Sequence, residues 1–109
     1  MSDFQVIPVD SLPAGDASHE LSGRADVSLI FVDTPPGGGP SLHRHPYQEV
    51  FILQEGEATF TVGEERQVVT AGHVVVVPAG VPHAFVNSGS GRMRQLNIHV
   101  SPEFETEWL

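Results

Sequence analysis

Cysteine is absent from this chain of 109 residues, which removes disulfides, thiolate nucleophiles and sulfur-ligated zinc or iron–sulfur centres. Any metal it binds must accept nitrogen and oxygen ligands. Lysine is absent as well: the five basic residues are Arg24, Arg44, Arg66, Arg92 and Arg94. Without a lysine no Schiff base forms, and imine chemistry drops out. Positive charge is scarce overall, with 14 acidic residues giving a net charge of −9, and such a surface repels phosphate backbones and anionic headgroups. Nucleic acid and membrane surfaces are therefore not expected partners. No apolar run approaches the roughly 18 residues of a membrane span, and Met1–Asp10 lacks a basic segment followed by an apolar one. A cytoplasmic location is expected.

What the sequence does have is turns, with 11 glycines and 9 prolines, and many short apolar stretches between them. At this length there is room for one core. Residues 1–25 read as an irregular arm with one edge strand over Phe4–Val9, and residues 26–109 as a single barrel domain. Val27–Val32 suits a short strand buried on both faces, and the Pro35–Pro40 run forces a long turn. Further strands are expected over Leu42–Leu53 with an interruption at Pro46, Ala58–Val62, Arg66–Thr70, Val74–Val77 as a buried four-valine run, His83–Asn87 and Met93–Val100. Ser101-Pro102-Glu103 has the cap, first-turn proline and acidic residue of a short C-terminal helix. So many short strands, with no strong helix between them, predict a closed all-β sandwich or barrel.

His43 and His45 are two apart and Glu49 is four beyond, so on one continuous strand all three side chains leave the same face. This nitrogen-rich set suits Mn, Fe, Co, Ni, Cu or Zn better than Ca or Mg. His83 follows the Pro78–Pro82 corner, which aims its side chain. In Met93–Val100, Leu96, Ile98 and Val100 share one face, Gln95, Asn97 and His99 the other, and a solvent face explains the polar side as well as a pocket wall does. Phe51 and Phe85 share parity with the histidines and glutamate and are candidates to line a cavity. Phe60 reads as core. Tyr47 has the opposite parity, which makes it a poor candidate for a catalytic acid. His19 and His73 read as solvated.

From Gly37 the chain runs through His43, His45 and Glu49 to Gly56, and from Gly72 through Pro78, Gly80 and His83 to Asn87, with spacings that resemble the two cupin motifs at each fixed position. The resemblance covers just under half the chain. It implies a double-stranded β-helix, or jelly-roll barrel, with one divalent transition metal ion held by His43, His45, Glu49 and His83, and frequently a homodimer. Gly56 and Gly72 are expected at turns needing positive φ, and Asn87 to cap a loop. Four protein ligands would leave about two positions open on a six-coordinate ion, as catalysis or substrate chelation requires. The expected function is a metal-dependent enzyme, of oxygenase or isomerase type, acting on a small oxygen-bearing molecule. The alternative is a non-catalytic small-molecule or metal-binding module. A small barrel leaves sheet edges and an apolar outer face, so a homodimer is expected, with Phe4, Val6 and Ile7 of the arm available to cover them.

Overall fold

The computed structural model describes residues 4–15 and 18–109. Its strands are β1 (Ala14–Gly15), β2 (Ser18–Leu21), β3 (Ser28–Thr34), β4 (His43–Arg44), β5 (Glu49–Glu55), β6 (Glu57–Val62), β7 (Glu65–Thr70), β8 (His73–Val77), β9 (His83–Asn87), β10 (Met93–His99) and β11 (Glu107–Trp108). A 3₁₀ turn at Val9–Ser11 is the one helical element among the described residues. The strands form two antiparallel sheets, ordered β1-β2-β3-β10-β5-β8 and β11-β4-β9-β6-β7. This is the all-β two-sheet arrangement expected from the turn spacing and the jelly-roll that the cupin resemblance implies.

Alternation places the core between the sheets. Along β5 as far as Leu53, and along β9 and β10, every second residue is buried, and the apolar members of that set gather with residues of β6, β7 and β8 into one cluster: Phe51, Leu53, Ala58, Phe60, Val69, Val77, Phe85 and Met93. Phe51 meets Phe60 and Phe85 edge to face, with ring centroids 5.2 and 5.9 Å apart. Such contacts add about 0.5–1.5 kcal/mol each beyond area burial. Between β5 and β6 the chain crosses from one sheet to the other at Gly56, where φ is 89°. A Cβ there would stand 2.6 Å from the Arg92 carbonyl oxygen, so glycine satisfies both the turn and the close approach.

Four local expectations are corrected. Phe4–Val9 is not a strand; the arm instead supplies β1 and β2, which extend the six-stranded sheet beyond β3. The four-valine run is not buried throughout: β8 lies at that sheet's edge, and Val74 and Val76 are 59% and 52% exposed while Val77 is buried. Strand β3 is likewise only half-buried over Leu29–Val32. No helix follows Ser101; the chain bends and returns as β11 to pair with β4, since β4 offers an open ladder edge that satisfies more backbone groups than a single helical turn.

Candidate metal centre

The two sheets face each other across the residues singled out by spacing. His43 lies on β4 in register with His83 on β9, and Glu49 lies on β5 in register with His99 on β10. The first pair belongs to one sheet and the second to the other. Parity along one strand therefore does not bring the ligands together: Pro46 sits in a bend between β4 and β5, and the facing of two sheets does the work. His45, in that bend, is tied to the corner before His83 by a 2.7 Å bond from the Gly80 N–H to its carbonyl oxygen.

His43, His45, Glu49 and His83 are all buried, and each offers a donor atom within 4.8 Å of the other three. The imidazole orientations are fixed from behind. Nδ1 of His43 lies 2.8 Å from the Ser41 carbonyl oxygen, Nδ1 of His45 2.9 Å from that of Glu105, and Nδ1 of His83 2.9 Å from that of Val81. A carbonyl accepts only, so each Nδ1 carries the ring proton and each neutral ring presents an Nε2 lone pair inward. Glu49 Oε1 lies 3.0 Å from His45 Nε2 and 3.1 Å from His83 Nε2. Three lone pairs and a carboxylate oxygen thus crowd one buried point, and His45 Nε2 has no aligned hydrogen-bond partner. A cation relieves that convergence of acceptors, and the nitrogen and oxygen donors suit a divalent transition metal.

The electrostatics agree in sign. Burial works to raise the Glu49 carboxyl, but His45, His83 and His99 outweigh it and hold the group well below the usual carboxylate range. Burial pushes His43 below the ordinary imidazole value, the Ser41 carbonyl offsetting only part of this. At His45 burial acts downward too, yet the Glu49 carboxylate and the Glu105 carbonyl prevail and the value is raised.

Two further side chains belong to the site. Tyr47 Oη lies 2.7 Å from His99 Nδ1 and accepts the Glu105 N–H at 3.1 Å, and the Tyr47 ring stacks on His45 at 5.0 Å between centroids. Burial raises the Tyr47 phenol, which keeps its proton. With the Tyr47 O–H donating to His99 Nδ1, the ring hydrogen of His99 sits on Nε2, 3.0 Å from Glu49 Oε2 without the alignment of a full hydrogen bond. Setting Tyr47 aside by parity is corrected here, because Pro46 ends the strand on which the count was made; that proline was the available signal.

Beside the cluster lies a cavity of about 550 Å³, walled by β2, β3 and β10 on one side and by Gly38–Pro40, Phe85 and Trp108 on the other. Of the residues considered for its lining, Phe85, Asn97 and His99 face it. Phe51 and Gln95 do not. Phe51 sits in the apolar cluster against the His83 ring. Gln95 is one inward position further from the site along β10, donating to Asn97 Oδ1 at 2.8 Å. The polar side of β10 is therefore its inner side. Asn87 bridges the Thr34 and Gly91 carbonyls and accepts from the Gly89 N–H, a loop-fastening role. His73 is exposed, and His19 is half-buried with Nδ1 3.2 Å from the Leu12 carbonyl oxygen. No helix among the described residues is long and apolar enough to cross a membrane.

Known proteins resemble this chain in sequence and in fold. A family model described as a cupin domain matches residues 30–99. An uncharacterised Streptomyces coelicolor protein, SCO3923, is 42% identical over 77 residues, 71% of this chain and 70% of its own length. The Escherichia coli HTH-type transcriptional regulator PuuR is 25% identical over 87 residues, 79% of this chain, and the chain spans about half (47%) of that regulator's length. A solved oxalate oxidase structure superposes with a TM-score of 0.76 and 25% identity, covering 100% of this chain and 62% of that one.

Proposed function

The chain belongs to the cupin domain family, and we propose that it is a metal-dependent enzyme acting on a small oxygen-bearing molecule. The ion would be held by His43, His45, Glu49 and His83. One observation carries this reading: three imidazoles locked by backbone carbonyls aim their lone pairs, with a carboxylate oxygen, at one buried point. A divalent ion bound there supplies a Lewis-acidic or oxygen-activating centre. The chain's own residues do the rest. Ile30, Val32 and Phe85 give the cavity apolar walls that displace water, and His99 presents an N–H donor beside Glu49 that orients an oxygen-bearing ligand. With about two positions open on the ion, a molecule with two adjacent oxygens would bind in bidentate fashion.

Metal analysis of untagged protein, followed by anaerobic loading with Fe, Mn, Co, Ni or Zn in turn, tests the proposal. Diols, dicarbonyls, phenols and sugars are then screened for oxygen uptake and for products by mass spectrometry. A second reading, a non-catalytic binding module, is favoured by the likeness to a protein named as a transcriptional regulator. It prevails if ligands perturb the metal's spectrum and none is converted under any metal.

A further inference from the structure

We infer that the cavity takes a ligand whose far end is a cationic amine seated at Glu20, with its oxygen-bearing head at the four-residue cluster. The inference rests on the proposed metal site for the head and on separate observations for the tail. Register places Glu20 on β2 opposite Ile30 on β3, and Ile30 opposite Asn97 on β10. Directly paired residues share a face, so Glu20 stands on the inner side with Ile30 and Asn97, and it lines the cavity together with the metal-site residues. From Glu49 on β5 to β2 is three strand spacings, roughly 14 Å along the sheet at about 4.8 Å each. The intervening wall is mixed: Ile30 and Val32, with Phe85 across the cavity, are apolar, and Asn97 and Thr34 are polar.

The charge at that far end is uncompensated. Glu20 is half-buried, and its carboxylate makes no hydrogen bond or ion pair with any described residue. None of the five arginines lines the cavity. Arg44 pairs with Glu107 and Arg92 with Asp33, Arg24 binds the Gln5 side chain, and Arg66 and Arg94 are exposed on their strands. With no lysine in the chain, nothing within the cavity would neutralise a second anionic group, and Glu20 would repel one. A ligand amine supplies the missing positive charge. A dicarboxylate would meet a carboxylate at the end opposite the metal.

Alkanohydroxamates of matched chain length ending in an amine, a methyl or a carboxylate keep the chelating head constant and vary only the tail. Binding to the Co(II)-loaded protein is followed by the cobalt visible spectrum, which reports the head, and by calorimetry, which gives affinity. The amine-ended series is expected to bind about tenfold tighter than the methyl series at its best length, with the carboxylate series weakest. Glu20→Gln abolishes the preference and Glu20→Lys inverts it, both with unchanged cobalt content. Spectral changes in all three series with affinities indifferent to the tail, or a preference that survives Glu20→Gln, would overturn the inference and leave the metal site standing. If cobalt does not load, or no hydroxamate alters its spectrum, the metal-site reading fails and this inference with it.

Discussion

The two faces of the six-stranded sheet differ in an unusual way: the inner one mixes polar residues with the apolar cluster of Phe51, Leu53, Val77 and Met93, while the outer one is largely apolar. Inward, Ser28, Glu49, Gln95, Asn97 and His99 are buried polar residues. Outward, the rows set by register are Leu21-Leu29-Ile98-Val50-Val76 and Phe31-Leu96-Ile52-Val74. Polar groups are buried at a cost unless they are satisfied, so a polar interior marks groups retained for a ligand. A continuous apolar exterior marks a surface that is normally covered. The candidate metal site accounts for Glu49 and His99 on the first face, while Ser28 is tied to the Ser101 carbonyl and Gln95 to Asn97. The second is what the expected homodimer requires, one copy's outer face laid on the other's about a two-fold axis.

The largest effect belongs to the inner face. His83→Ala removes one of four donors, and metal affinity should fall by more than about a hundredfold in chelator competition. Its metal-free form should stay within about 2 kcal/mol of metal-free wild type, because the deleted ring meets the apolar cluster edge-on at Phe51 and no cluster residue is itself removed. Full occupancy in a protein lacking both His45 and His83 would mean the ligand set is wrong. On the outer face, Val76→Glu places a charge at a side chain that is 52% exposed in the single chain, so folding is spared. Dimer dissociation should become about tenfold to a hundredfold easier by light scattering. A wild-type mass of one chain, 11.7 kDa, at micromolar concentration would remove the explanation of that face.

How much of this could be read from residues alone depends on how local each cause is. Strand positions followed from turn residues and short apolar runs, and the set of four donors from the resemblance to the two cupin motifs. Sidedness was harder. The polar row of β10 looks the same in sequence whether it meets water or a cavity, and only the position of β10 between β3 and β5 decides it. The valines of β8 read as buried because periodicity does not register that a strand lies at an edge. Glu20 gave no signal, since an acidic residue in a polar arm is ordinary until pairing carries it into the wall.

Tyr47→Phe gives a smaller and more discriminating test. It deletes the hydroxyl that joins the Glu105 N–H to His99 Nδ1 while keeping the ring that stacks on His45. With its back-side partner gone, the His99 ring no longer has its hydrogen fixed on the side of Glu49. Metal affinity should drop by up to about tenfold, in line with the loss of an outer-shell partner, with little change in melting temperature. An unchanged affinity would make the Tyr47–His99 contact a packing feature only.

The smallest effect is one of sign. In metal-free protein the raised His45 value means that its protonated form, held against Glu49, contributes stability. That contribution is complete below the ordinary imidazole value of about 6.5 and is lost as pH rises through the raised one. The depressed Glu49 value acts only far to the acid side, its contribution disappearing as pH falls through it. The lowered His43 value acts the other way, its neutral form adding stability as pH rises through about 6.5. The two offset each other, so metal-free protein should melt at nearly the same temperature at about pH 6 and about pH 8. Metal-loaded protein should melt higher at about pH 8, because the ion needs neutral imidazoles and binds better as protons leave. Melting curves at both pH values, with and without Co(II) or Zn(II), decide the matter. Parallel trends in the two forms would show that protons and metal do not compete for the same nitrogens, and the polar inner face would need another occupant.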